Sequence, residues 1–202
     1  MKHLSHFAKI TPDKIAYQMA RSGEVVTYQE LDQTSNQYAH LLRALGVGQG
    51  GNIALVFENR LELMSLAWAG QRSGIFYTAI STHLTASEMA YIINDCDATV
   101  TILSDKFLHL LPELQQACPQ SKFLILGKID DPQLDWAAQA AKMPVTSIAD
   151  EAAGSDLLYS SGTTGRPKGI VRKFTSQPVD TVIPALMTVL CETVGGMGTD
   201  TV

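Results

Sequence analysis

Residues 157–172 read LLYSSGTTGRPKGIVR, and this is where the chain concentrates its chemistry. The eleven residues from Tyr159 to Gly169 carry four aliphatic hydroxyls (Ser160, Ser161, Thr163, Thr164), three glycines (Gly162, Gly165, Gly169), one proline and two cations, Arg166 and Lys168. Such a set suits phosphate. Glycines without a Cβ let consecutive backbone N–H groups turn toward one anion, hydroxyls add donors, and a lysine supplies a point charge. Each charge-assisted hydrogen bond contributes roughly 1.5–3 kcal/mol, so several together hold a pyrophosphate or triphosphate firmly. Leu157-Leu158 precedes the loop and Ile170-Val171 follows it, which places a polar loop between two expected buried strands.

The stretch is not a Walker A loop. Counting GxxxxGK[ST] from Gly162 puts Pro167 where glycine is needed and Gly169 where a hydroxyl should follow Lys168. Residues 170–174 also read as strand rather than helix, so no helix N-terminus faces the phosphate. A second glycine-rich stretch, Gly46-Val47-Gly48-Gln49-Gly50-Gly51, satisfies GxGxxG. It follows a helix and precedes a strand, the reverse of a dinucleotide fingerprint, and so reads as a helix cap and turn. His3 and His6 have a helical metal-ligand spacing but no third ligand nearby, which favours a surface helix turn. His83 has no acidic or nucleophilic partner in local sequence and reads as structural.

The elements that must hold the loop are legible from period and punctuation. Residues 15–20 and 25–27 read as two strands joined by a turn at Gly23. Thr27 and Glu30 form a capping box, and Leu31, Tyr38, Leu41, Leu42 and Leu45 recur at helical spacing over about residues 28–45. Strands are expected at 53–57, 75–80, 99–103, 123–126 and 156–159. Helices are expected at 60–73, after a second capping box at Thr85 and Glu88, at 106–116 with a bend near Pro112, and at 134–142. After the loop, an apolar stripe from Val182 to Val194 suggests a further helix starting near Asp180. Continuous apolar strands alternating with helices imply an α/β fold, a mostly parallel sheet flanked by helices. No linker divides residues 1–202.

Composition excludes other classes. A formal net charge of −5 argues against a partner held through nucleic-acid phosphates. Cys96, Cys118 and Cys191 are widely spaced and form no CxxC, which points to reduced thiols, and no segment is long and apolar enough to cross a membrane. A cytoplasmic location is expected.

Against known families, Ser160-Ser161-Gly162-Thr163-Thr164-Gly165-Arg166-Pro167-Lys168-Gly169 resembles, position for position, the phosphate signature of the AMP-forming acyl-activating superfamily. That family includes acyl-CoA synthetases, firefly luciferase and peptide-synthetase adenylation domains. The resemblance extends to residues 26–32 ("TYxELD"), 42–50 ("LRALGVxxGD", with Gly51 in place of the aspartate), 69–81 ("AGxRxGAxYxPL") and 84–97, so residues 11–175 can be laid onto the family's N-terminal portion. The wording of residues 77–85 is similar to that of fatty-acyl and related CoA ligases.

The resemblance implies activation of a small-molecule carboxylic acid, fatty acid foremost, by ATP with Mg2+, through acyl-AMP to acyl-CoA. It implies that Ser160, Ser161, Gly162, Thr163, Thr164, Gly165 and Lys168 bind the β- and γ-phosphates. The family's segments for adenine, ribose, acid and mobile lid do not occur here. The 202 residues are therefore expected to be an N-terminal portion lacking the lid domain, inactive alone, and able to self-associate through the uncovered helix ending at Val194. The alternatives are a non-catalytic nucleotide-binding or scaffolding fragment, a peptide-synthetase adenylation domain, or luciferase-like oxidation.

Overall fold

The apolar runs pair into a sheet and the amphipathic stripes cover it. A computed structural model of the protein describes residues 3–160, 167–169 and 173–180. The chain opens with α1 (Leu4–Ile10) and an antiparallel hairpin of β1 (Ile15–Gln18) and β2 (Val25–Thr27), with Gly23 at φ +74° in the turn. Helix α2 (Tyr28–Ala44) starts at the expected capping box, where Thr27 Oγ1 accepts the Glu30 N–H and the Glu30 carboxylate accepts the Thr27 N–H at 2.8 Å. Then follow β3 (Asn52–Val56), α3 (Glu62–Arg72), β4 (Phe76–Ala79), α4 (Ala86–Asp95) and β5 (Ala98–Ser104). Thr85 and Glu88 cap α4 in the same way. Such caps contribute about 1 kcal/mol each.

The expected helix at 106–116 divides into a 3-10 turn (Asp105–Leu110) and α5 (Leu111–Ala117). The 3-10 stretch is itself kinked at Phe107, whose backbone is non-helical, and Pro112 lies in the first turn of α5, where its missing N–H leaves no helical bond unmade. After β6 (Lys122–Leu126), α6 (Trp136–Ala140) is shorter than expected and is capped by Asp135, which accepts the Ala138 N–H at 3.0 Å.

Strands β3 to β6 and β7 (Ser155–Asp156) form one sheet in the order β6-β5-β3-β4-β7, each neighbouring pair parallel. Side chains alternate between its faces. Ile53, Leu55, Val100 and Ile102 meet Leu41, Leu42, Leu66 and Trp136 from α2, α3 and α6. Ala54, Val56, Leu103 and Ile125 meet Met89, Ile92, Ile93 and Leu114 from α4 and α5. Burial on both faces explains why these strands read as unbroken apolar runs.

Two details position the later chain. A buried ion pair joins α2 to α3: Arg72, fully buried, donates from Nη2 to Asp32 Oδ1 at 2.5 Å. Strand β7 then docks on the α3–β4 corner through Gly154 N–H to Gln71 O (2.7 Å) and Leu157 N–H to Tyr77 O (2.9 Å). A Cβ at Gly154 would collide with backbone atoms of Gly70 and Ile75, so only glycine lets the chain approach this closely.

His3 departs from its expected surface place. It is buried at the N-cap of α1, edge-on to Trp68, and burial, aided by the Arg72 charge, lowers its pKa to about 4. Its Nδ1 accepts the Ser5 N–H at 3.3 Å, which ties the ring to the first turn of α1. Among the described residues, no helix is long and apolar enough to cross a membrane. The expected helix at 182–194, and the self-association argued from it, lie outside the described residues.

Candidate phosphate-loop site

The strand expected at 156–159 does not run straight into the loop. Only Ser155 and Asp156 join the parallel sheet, after which Tyr159–Ser160 (β8) pairs antiparallel with Lys168–Gly169 (β9). The loop is therefore closed by its own two-rung ladder and not held between two buried strands. Leu158 is 54% exposed and Ser160 and Lys168 are exposed, so this ladder projects from the domain and lacks the burial that a continuous sheet strand would have. Of residues 170–174, expected as strand, Lys173 and Phe174 have no regular structure and 170–172 lie outside the described residues.

Ser160 stands directly opposite Lys168, and Tyr159 opposite Gly169. Directly opposed side chains leave an antiparallel pair on the same face. The ladder thus presents one hydroxyl and one ammonium together at the mouth of the loop. Among the described residues, no carboxylate is ion-paired to Lys168. Ser161, Gly162, Thr163, Thr164 and Gly165, the other expected phosphate ligands, lie outside the described residues.

Two aromatic residues tie the ladder to the domain, and sequence reasoning assigned neither a role. The Tyr159 hydroxyl donates to Asp95 Oδ2 at 2.6 Å, at the C-terminal end of α4. Burial, then the carboxylate bond, raise the Tyr159 pKa well above the ordinary tyrosine value. Its ring lies against Gly169, where a Cβ would come within 2.9 Å of Tyr159 Cζ. Phe174 packs edge-on to Phe76, beside Gly50 and Gly74. Between the two lies a cavity of about 210 Å³ whose wall includes Asn52, Asp95, Asp97, Tyr159 and Phe174. The available signal was Asp95 itself, an acid at the helix end that disfavours negative charge.

The usual crevice of an open α/β sheet is already filled. Helices α3 and α5 leave the adjacent strands β3 and β5 on opposite faces, the topology that opens a ligand cleft at the strands' C-terminal ends. Arg60 fills it, donating to Asp105 Oδ1 (3.2 Å), Leu126 O (3.2 Å) and Glu62 Oε2 (3.3 Å), while Lys106 pairs with Glu58 at 3.0 Å. The Lys128 N–H, against the opposing effect of burial, and then Ser104 and Arg60 hold the Asp105 carboxyl below its usual range. His83 is exposed on the β4–α4 connection. Cys96 and Cys118 are free and buried, and burial pushes the Cys96 thiol up to about 11, which keeps it protonated. Cys191 lies outside the described residues.

Comparison with known proteins gives the family. The family model described as AMP-binding enzyme matches residues 4–186. The chain belongs to the AMP-binding enzyme family. It is 32% identical, over 76% of its length, to a 4-hydroxybenzoate--CoA/benzoate--CoA ligase of Rhodopseudomonas palustris, covering 29% of that protein. It is 30% identical, over 81% of its length, to the long-chain-fatty-acid--CoA ligase FadD13 of Mycobacterium tuberculosis, covering 33% of it. The fold superposes on the anthranilate CoA ligase AuaEII, solved in complex with anthranoyl-AMP, with a TM-score of 0.70 at 26% identity, over 83% of this chain and 32% of that one. The chain spans about a third of the length of these two curated relatives.

In this AMP-binding family member the residues present fit a phosphate anion, through the uncommitted Lys168 beside Ser160. They do not fit a resident metal: among the described residues, no group of three or more His, Cys, Asp or Glu could hold one.

Proposed function

We propose that residues 1–202 form the N-terminal portion of an acid–thiol ligase that condenses a carboxylic acid with ATP to acyl-AMP and pyrophosphate, then transfers the acyl group to the CoA thiol. Carboxylate oxygen is a poor leaving group, and AMP is a good one. The first step thus needs the carboxylate aligned with the α-phosphate and the charge of departing pyrophosphate balanced. Ser160, Ser161, Gly162, Thr163, Thr164, Gly165 and Lys168 are the residues we assign to the β- and γ-phosphates, with Lys168 as the counter-charge. The observation that carries this reading is the opposition of Ser160 and Lys168 across the ladder, with the lysine unpaired among the described residues. The adenosine, acid and lid contacts are assigned to sequence outside these residues.

Titration calorimetry with MgATP or magnesium pyrophosphate tests the loop. Lys168→Ala should weaken binding about ten- to hundredfold, the cost of a charge-assisted contact of ~1.5–3 kcal/mol. Equal affinity in the parent and the variant would refute the assignment. The 202-residue chain alone should not exchange labelled pyrophosphate into ATP, and exchange at an enzymatic rate would refute the division of labour.

For the acid, the wording of residues 77–85 supports a fatty acid. The 32% identity to a benzoate-type CoA ligase supports a second reading, an aromatic acid. Adenylation assays of the whole protein with straight-chain acids and substituted benzoates in parallel separate the two.

A further inference from the structure

We infer that Tyr159, through its hydrogen bond to Asp95, is the positioning residue of the phosphate loop: it fixes the β8–β9 ladder against α4 so that Ser160 and Lys168 meet the anion in register. The inference rests on the proposed phosphate-binding reading.

Among the described residues, the ladder has two rungs and pairs with no other strand. Two-stranded pairs of this length have little stability of their own, so the geometry of the loop mouth depends on what ties it down. Leu158 and Ser160, on either side of Tyr159, face solvent. Tyr159 turns the other way and reaches sixty-four residues back along the chain to Asp95 at 2.6 Å. Its ring also fills the space over Gly169, the residue opposite it in the ladder, so one side chain touches both strands.

Asp95 carries independent evidence. It occupies the last position of α4, in a final turn with no basic residue, where the helix carbonyls repel a negative charge. Nothing in α4 itself compensates it; the Tyr159 hydroxyl does. A helix end that tolerates an unfavourable acid, paired with the residue immediately before the hydroxyl run, is a contact placed for the loop. The contact leaves Ser160 and Lys168 on the exposed side of the ladder, free for phosphate. Phe174 holds the outgoing chain in the same manner, with its ring over Gly50 and Gly74. The two ends are thus pinned independently.

Three variants of the full chain test the contact. Tyr159→Phe keeps the ring and removes the donor, Asp95→Ala removes the acceptor, and Asp95→Asn keeps an acceptor oxygen. Two readouts apply: affinity for MgATP, and backbone hydrogen exchange of peptides reporting residues 159–160 and 168–169 without ligand. Tyr159→Phe and Asp95→Ala should each speed exchange of the ladder amides at least tenfold and weaken MgATP about tenfold, with exchange in β3 and β5 unchanged. The double variant should lose no more than either single, and Asp95→Asn should stay within about threefold of the parent.

Unchanged ladder exchange in both Tyr159→Phe and Asp95→Ala overturns the inference, whatever the binding result. Additive losses in the double variant overturn it as well. Lys168→Ala separates this failure from that of the parent reading: if it abolishes MgATP binding while Tyr159→Phe does not weaken it, the loop holds phosphate without the tyrosine anchor. If Lys168→Ala has no effect either, the phosphate reading itself fails.

Discussion

Replacing Asp32 by asparagine should be among the most damaging single changes outside the loop, because it strands a buried charge. The Arg72 guanidinium has no exposed surface, and its Nη2 lies 2.5 Å from Asp32 Oδ1. Among the described residues, its Nε and Nη1 have no hydrogen-bond partner, and a second carboxylate, that of Glu151, is 4.0 Å from Nε. At that spacing an effective dielectric near 20 gives about 4 kcal/mol of attraction per pair. Glu151 therefore retains part of the compensation when Asp32 is neutralised, and the loss falls toward the low end of the ~3–5 kcal/mol expected for breaking a buried pair.

A cost of about 3 kcal/mol is a large fraction of the ~5–15 kcal/mol by which domains are stable. In urea unfolding, with m of roughly 2–3 kcal/mol/M, it lowers the midpoint by about 1 M at unchanged slope. Asp32→Asn with Arg72→Met should recover most of the loss, since an apolar pair of similar volume removes the uncompensated charge. A single-variant loss below ~1 kcal/mol, or a double variant no better than the single, would refute the role given to this pair.

Acid should weaken the N-terminal region through His3. Its folded pKa of about 4 lies below the ordinary histidine value of 6.5, so protons bind the unfolded chain first; stability is whole above about pH 6.5 and is lost as pH falls toward 4, by about 1–2 kcal/mol after allowing for residual solvation. His3→Asn, which keeps an acceptor for the Ser5 N–H, should flatten that window in a series of urea midpoints against pH. Gly169→Ala should displace the Tyr159 ring and weaken MgATP severalfold in calorimetry, at a cost of ~1–3 kcal/mol for the overpacked contact. Gly154→Ala, by contrast, should destabilise the whole domain in thermal unfolding, because its Cβ meets backbone that cannot yield.

The residues by themselves determined the layer architecture and the family resemblance. Apolar runs too continuous for a one-sided sheet specify strands buried on both faces, and the hydroxyls, glycines and lysine within eleven positions carry the phosphate site proposed above. Both capping boxes were legible because a cap is a contact over three residues. What period and spacing could not contain is contact between distant positions. That β7 stops after two residues and the loop closes on its own ladder depends on how closely Gly154 approaches Gly70 and Ile75. That His3 is buried depends on Trp68, and that Arg60 fills the β3–β5 cleft depends on Asp105 and Leu126. The partners of Arg72 and Tyr159 lie forty and sixty-four residues away. Local preference is set over a few residues, whereas the pairing of a buried charge or the anchoring of a two-rung ladder is settled only when packing brings those residues together.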